Sequence, residues 1–199
     1  MANANDNSVS VINTTQQKVI ETLNTALYPG SPEGSTPNSV ALSSDDMTLY
    51  IANADNNCLA VFDAAKPEAS ISKGFIPTAW YPTCVRVAGN KILISNGKGL
   101  TSHANPYGPN PTRKGGVVVY QAAGQEREIR EQYIGGLLRG ALQILNVPDQ
   151  KQMASFSHVV YSNTPYKKNG FLWDYCMRAG VSFITYAEFM GDKEPNIPV

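Results

Sequence analysis

Apolar and polar residues alternate along short stretches of residues 1–147, and clusters of Asp, Asn and Gly separate these stretches. Three stretches lie between Thr36 and Asp63, at residues 39–42, 48–52 and 59–62. Alternation over four to eight residues is typical of β-strands that have one face in a core. Asp and Asn suit the turns between strands, because their side chains bond the local backbone and tolerate left-handed geometry. The pattern predicts antiparallel strands joined by tight turns.

A second, degraded copy of this pattern runs from Tyr81 to Tyr120. The corresponding positions are Pro37 and Pro82, Val40 and Val85, Ile51 and Ile94, and Asn53 and Asn96. A period of about 40 to 50 residues that contains several short strands is typical of β-propeller blades. We predict a mainly β fold, a partial β-propeller with about two full four-stranded blades plus partial ones. Residues 117–120 and 128–133 are predicted to complete the second blade, and residues 140–145 to begin another.

The N-terminal stretch predicts a hairpin, with strands at residues 8–12 and 18–22 on either side of a polar turn. Matching Asn13 to Asp63 makes this hairpin the outer half of a blade. Propellers close with four or more blades. We therefore expect an open fragment, an assembly of several copies, or a chain that lacks part of its parent sequence.

The pattern changes after Pro148. Asp149 is a predicted N-cap, and Met153, Phe156 and Val160 follow at the spacing of one helical face. Residues 170–180 predict a second helix and residues 181–186 a strand, which together make a short C-terminal α/β segment. We predict a partial propeller at residues 1–147, a linker helix at 148–168 and an α/β remnant at 169–199.

Composition narrows the possible partners. The sixteen basic and sixteen acidic residues cancel, so no overall field favours nucleic acid, and we expect no nucleic-acid partner. No run of 18 apolar residues occurs, so no membrane span is predicted, and residues 1–7 do not resemble a signal peptide. The three cysteines, Cys58, Cys84 and Cys176, have no CxxC spacing, which argues against a disulfide framework or zinc site. Cys58 and Cys84 are interpreted as small core residues.

The long loop from Lys98 to Lys114 is the main candidate for a ligand site, because long irregular loops in compact domains are often functional. It contains His103, Tyr107 and Arg113 together with several glycine amides, which could cradle an anion. The alternative is a connection that only packs on a neighbouring blade.

Trp80 and Tyr81, at the start of an inner strand, are the second candidate. Their rings could stack on a ligand or could wedge between blades. With only two histidines, His103 and His158, we expect no metal site and no catalytic residues in this chain.

Several segments carry a resemblance to a known family. The segments are residues 36–43, 49–63, 74–83, 90–99, 108–111 and 170–183. They resemble the YncE-like β-propellers, and more narrowly a bacterial family in which such a propeller is fused to an alkaline-phosphatase-superfamily phosphoesterase domain. The resemblance implies a divalent metal such as zinc or manganese, a threonine nucleophile, and export to the periplasm.

The sequence departs from that family where the chemistry lies. It has no Glu-Asn-Arg-Thr-type nucleophile segment, and residues 166–168 run directly into Asn169. We interpret the chain as a truncated or internally deleted member that acts as a non-catalytic binding or docking scaffold for an unknown small molecule or anion. The alternatives are a phosphoesterase whose catalytic segment is missing from this chain, and a structural protein that self-associates through open blade edges.

Overall fold

The computed structural model describes residues 1–28, 30–101, 108, 118–129 and 134–164. The predicted α/β segment at 169–199 and Cys176 lie outside these residues. The described strands and the helix are β1 (Ala2–Asn3), β2 (Ser8–Asn13), β3 (Lys18–Asn24), β4 (Pro37–Leu42), β5 (Thr48–Asn53), β6 (Cys58–Asp63), β7 (Ile71–Pro77), β8 (Pro82–Ala88), β9 (Lys91–Asn96), β10 (Val118–Ala122), β11 (Gln125–Ile129), β12 (Ala141–Asn146) and α1 (Gln150–Asn163).

The strands form antiparallel sheets, and the mainly β class is confirmed. The N-terminal sheet has the order β1-β2-β3, the central sheet β4-β5-β6-β7 and the third sheet β12-β9-β8, while β10 and β11 form a separate hairpin. The arrangement of the first three sheets is propeller-like, but the sheets do not close into a ring.

The strands β4, β5 and β6 of the central sheet match the three stretches predicted between Thr36 and Asp63, and β7 is the fourth strand of this blade. Its register places Leu49 opposite Phe62 and Ile51 opposite Ala60. Asp46 and Asn57 adopt positive φ angles of 59° and 50° in the turns that flank β5. These are the left-handed positions that Asp and Asn tolerate better than most residues, so the turn residues set where each strand ends.

The core consists of two apolar layers on either side of the central sheet. Leu49 and Ile51 face one layer, which also contains Val9 and Leu23 of the N-terminal sheet. Their neighbours in β5, Tyr50 and Ala52, face the other layer, which contains these residues of the third sheet: Val85, Ile92 and Ile94. Side chains alternate between the faces of a strand, so a strand with apolar residues at every position is buried on both sides.

The pairing within the third sheet differs from the prediction. β12 pairs with β9 along its whole length, from Ala141 opposite Asn96 to Asn146 opposite Lys91. It therefore takes the third position of this sheet, and residues 118–120, which were predicted there, lie in the separate hairpin. Gln143 helps to explain this choice, since its side chain accepts a hydrogen bond from the Ala79 N–H (3.1 Å) and donates one to Pro77 O (3.4 Å).

The N-terminal hairpin is confirmed, with Val9 opposite Leu23 and Ser10 opposite Thr22. The structure adds β1, whose Asn3 lies opposite Ser8. The N-terminal sheet thus has three strands where two were predicted. Two residues of β1 are too few to give an alternating pattern, which is why the sequence did not indicate this strand.

A helix is present where it was predicted after Pro148, and its cap at Asp149 is confirmed, while α1 ends at Asn163. The Asp149 side chain accepts from the Gln152 N–H, and the Gln152 side chain accepts from the Asp149 N–H, which completes a capping box. Met153 and Val160 are buried, and Phe156 is half-buried. α1 therefore presents its predicted apolar face to the two core layers.

Close contact between α1 and β7 depends on a glycine. Ser157 Oγ accepts from the Phe75 N–H (2.9 Å) and donates to Phe75 O (3.4 Å), so the serine occupies backbone groups that a further strand would use. Gly74 has a φ of 116°, and a Cβ at this position would collide with Ser157 Oγ. The glycine lets the helix cover the outer edge of the central sheet.

Candidate binding groove beside the central sheet

Several segments line a groove of about 380 Å³ at one end of the central sheet, and three of them contribute most of its lining residues. They are the β5–β6 turn, which carries Asp55 and Asn57, the β7–β8 connection, which carries Trp80, and the C-terminal end of α1, which carries Asn163. Small-molecule sites commonly have volumes of about 300 to 1,000 Å³ and combine apolar walls with a few polar groups. The groove has both features.

The same backbone arrangement occurs at the start of β4 and of β8. Thr36 O accepts from the Ala54 N–H (3.0 Å), as Tyr81 O accepts from the Gly97 N–H (2.8 Å). Ser35 O accepts from the backbone N–H of Asp55 (3.3 Å), as Trp80 O accepts from the backbone N–H of Lys98 (3.2 Å). The candidates Trp80, Tyr81 and Lys98 of the third sheet are therefore the counterparts of Ser35, Thr36 and Asp55.

Thr36 and Tyr81 share an unusual backbone conformation. Their φ angles are 49° and 63°, and each residue precedes a proline, Pro37 or Pro82. Positive φ is uncommon for residues other than glycine, and for a β-branched threonine it is a true outlier. Such strain persists only where the surroundings impose it, often at functional sites.

Lys98 lies against both aromatic candidates. Its Nζ is 4.0 Å from the Tyr81 ring centroid and 5.5 Å from that of Trp80. An ammonium within about 6 Å of a ring centroid is attracted by the ring electrons. From the sequence, Lys98 was predicted to belong to the loop candidate, and Trp80 and Tyr81 formed a separate candidate. The structure brings these three side chains together.

Asn57 links the groove to the aromatic pair. Its Oδ1 accepts from the Tyr81 N–H (2.7 Å) and its backbone oxygen accepts from the Thr78 N–H (3.0 Å). The Nδ2 group has no hydrogen bond to a described residue, so two donors remain for a ligand. Asn56 has the reverse arrangement to Asn57. Its Nδ2 donates to Ser35 Oγ (2.8 Å), and its Oδ1 has no hydrogen bond to a described residue and can accept from a ligand.

The groove carries little charge. Among the described residues that line it, Asp55 is the single charged side chain. One carboxylate oxygen of Asp55 accepts from Thr36 Oγ1, which leaves the other available. Lys98 is not among the lining residues, so the described part of the groove does not present a cation to an anionic ligand.

The buried thiol close to the groove is unreactive by its environment. Cys58 is fully buried, and this burial raises the pKa of its thiol to about 12, an effect that the Asn53 side chain opposes. The thiolate is the nucleophilic form of cysteine. Cys58 is thus a core residue, as predicted, whereas Cys84 is half-buried.

The remaining predicted site residues are not described. His103, Tyr107, Arg113 and Lys114 lie outside the described residues, and the anion cradle stays a prediction. Within the described ranges, no group of three or more His, Cys, Asp or Glu side chains is placed to hold a metal ion. The same part of the chain contains no helix long and apolar enough to span a membrane.

Sequence reasoning missed the most polar part of the groove. Asp55, Asn56 and Asn57 were interpreted only as a turn, and Asn163 lies in the segment that was predicted only as a linker helix. The run of three residues with carboxylate or amide side chains was a usable signal, since one turn needs fewer such groups for its own backbone.

Comparisons with known proteins identify no family. No protein-family model matches the sequence, and no curated protein matches it. Among solved structures, the chain has a similarity to hydrazine synthase from Kuenenia stuttgartiensis, with a TM-score of 0.38 and 19% sequence identity. The match covers 46% of this chain and 23% of that chain.

Proposed function

We propose that this chain is a non-catalytic binding module whose groove takes a small, uncharged ligand with several hydroxyl groups, such as a mono- or disaccharide. The observation that carries the proposal is the combination of Trp80 with Asp55, Asn56 and Asn57 around one groove. Each of these three side chains keeps a donor or an acceptor that is not bonded to a described residue. An aromatic ring offers a flat apolar surface to the C–H face of a sugar. Hydroxyl groups both donate and accept, so they match a lining of mixed polarity.

The individual polar groups support this ligand class. Asn57 Nδ2 offers donors, while Asn56 Oδ1 and the second carboxylate oxygen of Asp55 offer acceptors. An anionic ligand would meet the charge of Asp55 without a lining cation to balance it. A neutral hydroxylated ligand can bond to all three groups and brings no charge of its own into the groove.

The test uses Trp80 as a reporter. Trp173→Phe leaves Trp80 as the sole tryptophan, and its fluorescence is titrated with maltose, cellobiose and N,N′-diacetylchitobiose, with inorganic phosphate in parallel. We expect a saturable change with at least one saccharide and none with phosphate. Binding of phosphate alone, or of no probe at all, would contradict the proposed ligand class.

Asn57→Asp provides a sharp second variant. The carboxylate keeps an acceptor for the Tyr81 N–H but loses the two Nδ2 donors, so the fold is retained while a ligand contact is removed. We expect saccharide affinity to fall by about tenfold or more, in line with the loss of one buried hydrogen bond. Asn13→Asp is the matched control, because Asn13 uses Oδ1 to accept from the Gln16 N–H far from the groove.

The resemblance to propellers fused to phosphoesterases bears on the origin of the module. We propose that it derives from such a parent and has kept the binding part without the chemistry. Hydrolysis of p-nitrophenyl phosphate, measured with added zinc or manganese and again with chelator, tests this. Turnover that chelator abolishes in independent preparations would overturn the non-catalytic assignment.

A further inference from the structure

The outer edge strands of the three sheets differ in what covers them. At the N-terminal sheet, β3 carries Glu21, whose carboxylate accepts from the N–H (2.7 Å) and Oγ (2.8 Å) of Ser70. At the central sheet, α1 covers β7 through Ser157. At the third sheet, β12 is the edge strand, and no described strand or helix pairs with its outer side. Open strand edges bind other strands unless they are covered or charged.

The sequence of β12 offers no protection against pairing. The strand reads Ala-Leu-Gln-Ile-Leu-Asn and contains no charge, proline or glycine. Leu142 and Ile144 lie on the same face and are 63% and 57% exposed. Leu93 of β9 lies opposite Ile144 and is half-buried, so it extends the apolar surface. Backbone groups and apolar side chains are thus available on one strand.

The N-terminal sheet, which lies on the other side of the central sheet from the third sheet, has a different surface. On the N-terminal sheet, Asn3 Nδ2 donates to Ser8 Oγ (2.9 Å) and Ser10 Oγ (3.0 Å). Alternation puts these serines on the face opposite Val9, which faces the core. The part of this face around Ser8 and Ser10 is polar, whereas Ile12 and Val19, which lie opposite each other further along the hairpin, are 42% and 57% exposed. A head-to-tail contact between copies would place part of the apolar surface of the third sheet on these serines and would leave the backbone edge of β12 unpaired. A second β12 matches both the open backbone edge and its apolar side chains.

We propose that β12 pairs antiparallel with β12 of a second copy of this chain, so that two third sheets form one continuous six-stranded sheet. A twofold axis through Gln143 would place Leu142 opposite Ile144 of the second copy. Residues that face each other across an antiparallel pair lie on the same side of the sheet. The four exposed apolar side chains would then form one ladder, and each copy would supply the same surface, as twofold symmetry requires.

Sedimentation velocity across a wide range of concentrations tests the assembly. We expect a dimer that dissociates on dilution, and we expect Ile144→Lys or Leu142→Lys to raise the dissociation constant at least about tenfold, since symmetry counts each change twice. Val19→Lys is the matched control: Val19 lies on an edge strand and, at 57%, is as exposed as Ile144. This variant should remain dimeric.

A cysteine experiment tests the register. Leu142→Cys mixed with Ile144→Cys should form a disulfide-linked dimer under mild oxidation faster than either variant alone, because only the mixture places the new thiols opposite each other. Peptide mapping separates this bond from those of the native cysteines.

Three results would overturn the proposal. One is a wild-type chain that stays monomeric at every concentration, which would mean that the remainder of the chain covers β12. Another is a dimer whose dissociation constant is raised by neither Ile144→Lys nor Leu142→Lys. The third is a dimer that Val19→Lys dissociates equally. Saccharide binding to the groove is measured separately in each variant, and we expect it to be unchanged in Ile144→Lys.

Discussion

Two buried asparagines occupy corresponding positions, at the ends of β5 and β9, but they are not equally well bonded. Asn53 Nδ2 donates to Thr25 O at 2.8 Å, whereas Asn96 Nδ2 makes two long contacts, to Ile94 O (3.3 Å) and Ala141 O (3.5 Å). The Oδ1 atoms of both residues are buried without a hydrogen-bond partner among the described residues. A buried polar group without a partner costs free energy, so the two residues should differ in what they contribute to stability.

We predict that Asn53→Ala lowers the free energy of unfolding by about 1 to 3 kcal/mol, because it leaves Thr25 O without its donor. Both variants remove an unpaired Oδ1, but Asn96→Ala should cost less, since the contacts of Asn96 Nδ2 are long and weak. Urea denaturation of both variants measures the difference. Equal costs would show that burial of the side chain, and not its hydrogen bond, determines the effect.

The buried thiol of Cys58 makes stability depend on pH in the alkaline range. Its pKa is raised by burial from 9.0 to about 12. Below pH 9 the thiol is protonated in both the folded and the unfolded chain. Between about pH 9 and pH 12 the unfolded chain loses this proton while the folded chain keeps it, so the free energy of unfolding falls as the pH rises.

We predict that Cys58→Ala makes the alkaline loss of stability shallower by up to about 1.4 kcal/mol per pH unit. Burial also raises the pKa of Tyr50 and Tyr161, so part of the slope should remain in the variant. Urea midpoints measured across this pH range, with Cys84→Ala as the control, give the comparison. A slope that is identical in Cys58→Ala and wild type would show that the thiol does not carry the effect.

At the scale of elements, the contact between α1 and β7 is a coupled pair of residues. Gly74→Ala would introduce a Cβ where Ser157 Oγ lies and would strain a backbone with a φ of 116°. Ser157→Ala would leave the Phe75 N–H without its acceptor. Both changes remove the same hydrogen bond, so their effects on stability cannot be independent.

We predict that the double variant Gly74→Ala/Ser157→Ala costs less than the sum of the two single variants by about 1 kcal/mol, the value of one shared hydrogen bond. Urea denaturation of the four proteins completes the cycle. Gly89→Ala is a control for backbone strain alone, because it has a φ of 55° and open space around the added Cβ. Additive costs would mean that Ser157 keeps its hydrogen bond to Phe75 in the Gly74→Ala variant.

The elements differ in how far the sequence predicted them. The central sheet and α1 were predicted well, because alternation, Asp and Asn turns and the Asp149 cap are all local signals. The second strand that pairs with β9, which is β12, was not predicted. Residues 118–120 and 141–145 are both short apolar runs, and the choice between them depends on tertiary contacts such as those of Gln143 with Pro77 and Ala79. The groove as a whole was likewise hidden, since the 55–57 turn, Trp80 and Asn163 come from elements far apart in the sequence.

At the scale of the whole molecule, the three sheets are not equally protected. The central sheet is covered on both faces, whereas the N-terminal sheet contributes only one face to a core layer. Apart from this core layer, the Glu21 carboxylate links the N-terminal sheet to Ser70, the residue before β7. Regions with fewer buried contacts open more readily than the core. The N-terminal sheet is therefore the part that we expect to separate first.

Glu21→Gln tests this hierarchy, because the neutral amide replaces two charge-assisted hydrogen bonds with Ser70 by weaker neutral ones, Oε1 accepting from the N–H and Nε2 donating to Oγ. Hydrogen bonds to charged groups are worth about 1.5 to 3 kcal/mol, so we predict that exchange of β2 and β3 amides accelerates by about tenfold to a hundredfold. Amides of β5 and β6 should change little, because they exchange only when the central sheet opens. Glu33→Gln, at an exposed loop position, is the control. A uniform acceleration across all three sheets would mean that they unfold as one cooperative unit and that the carboxylate stabilises the whole row of sheets.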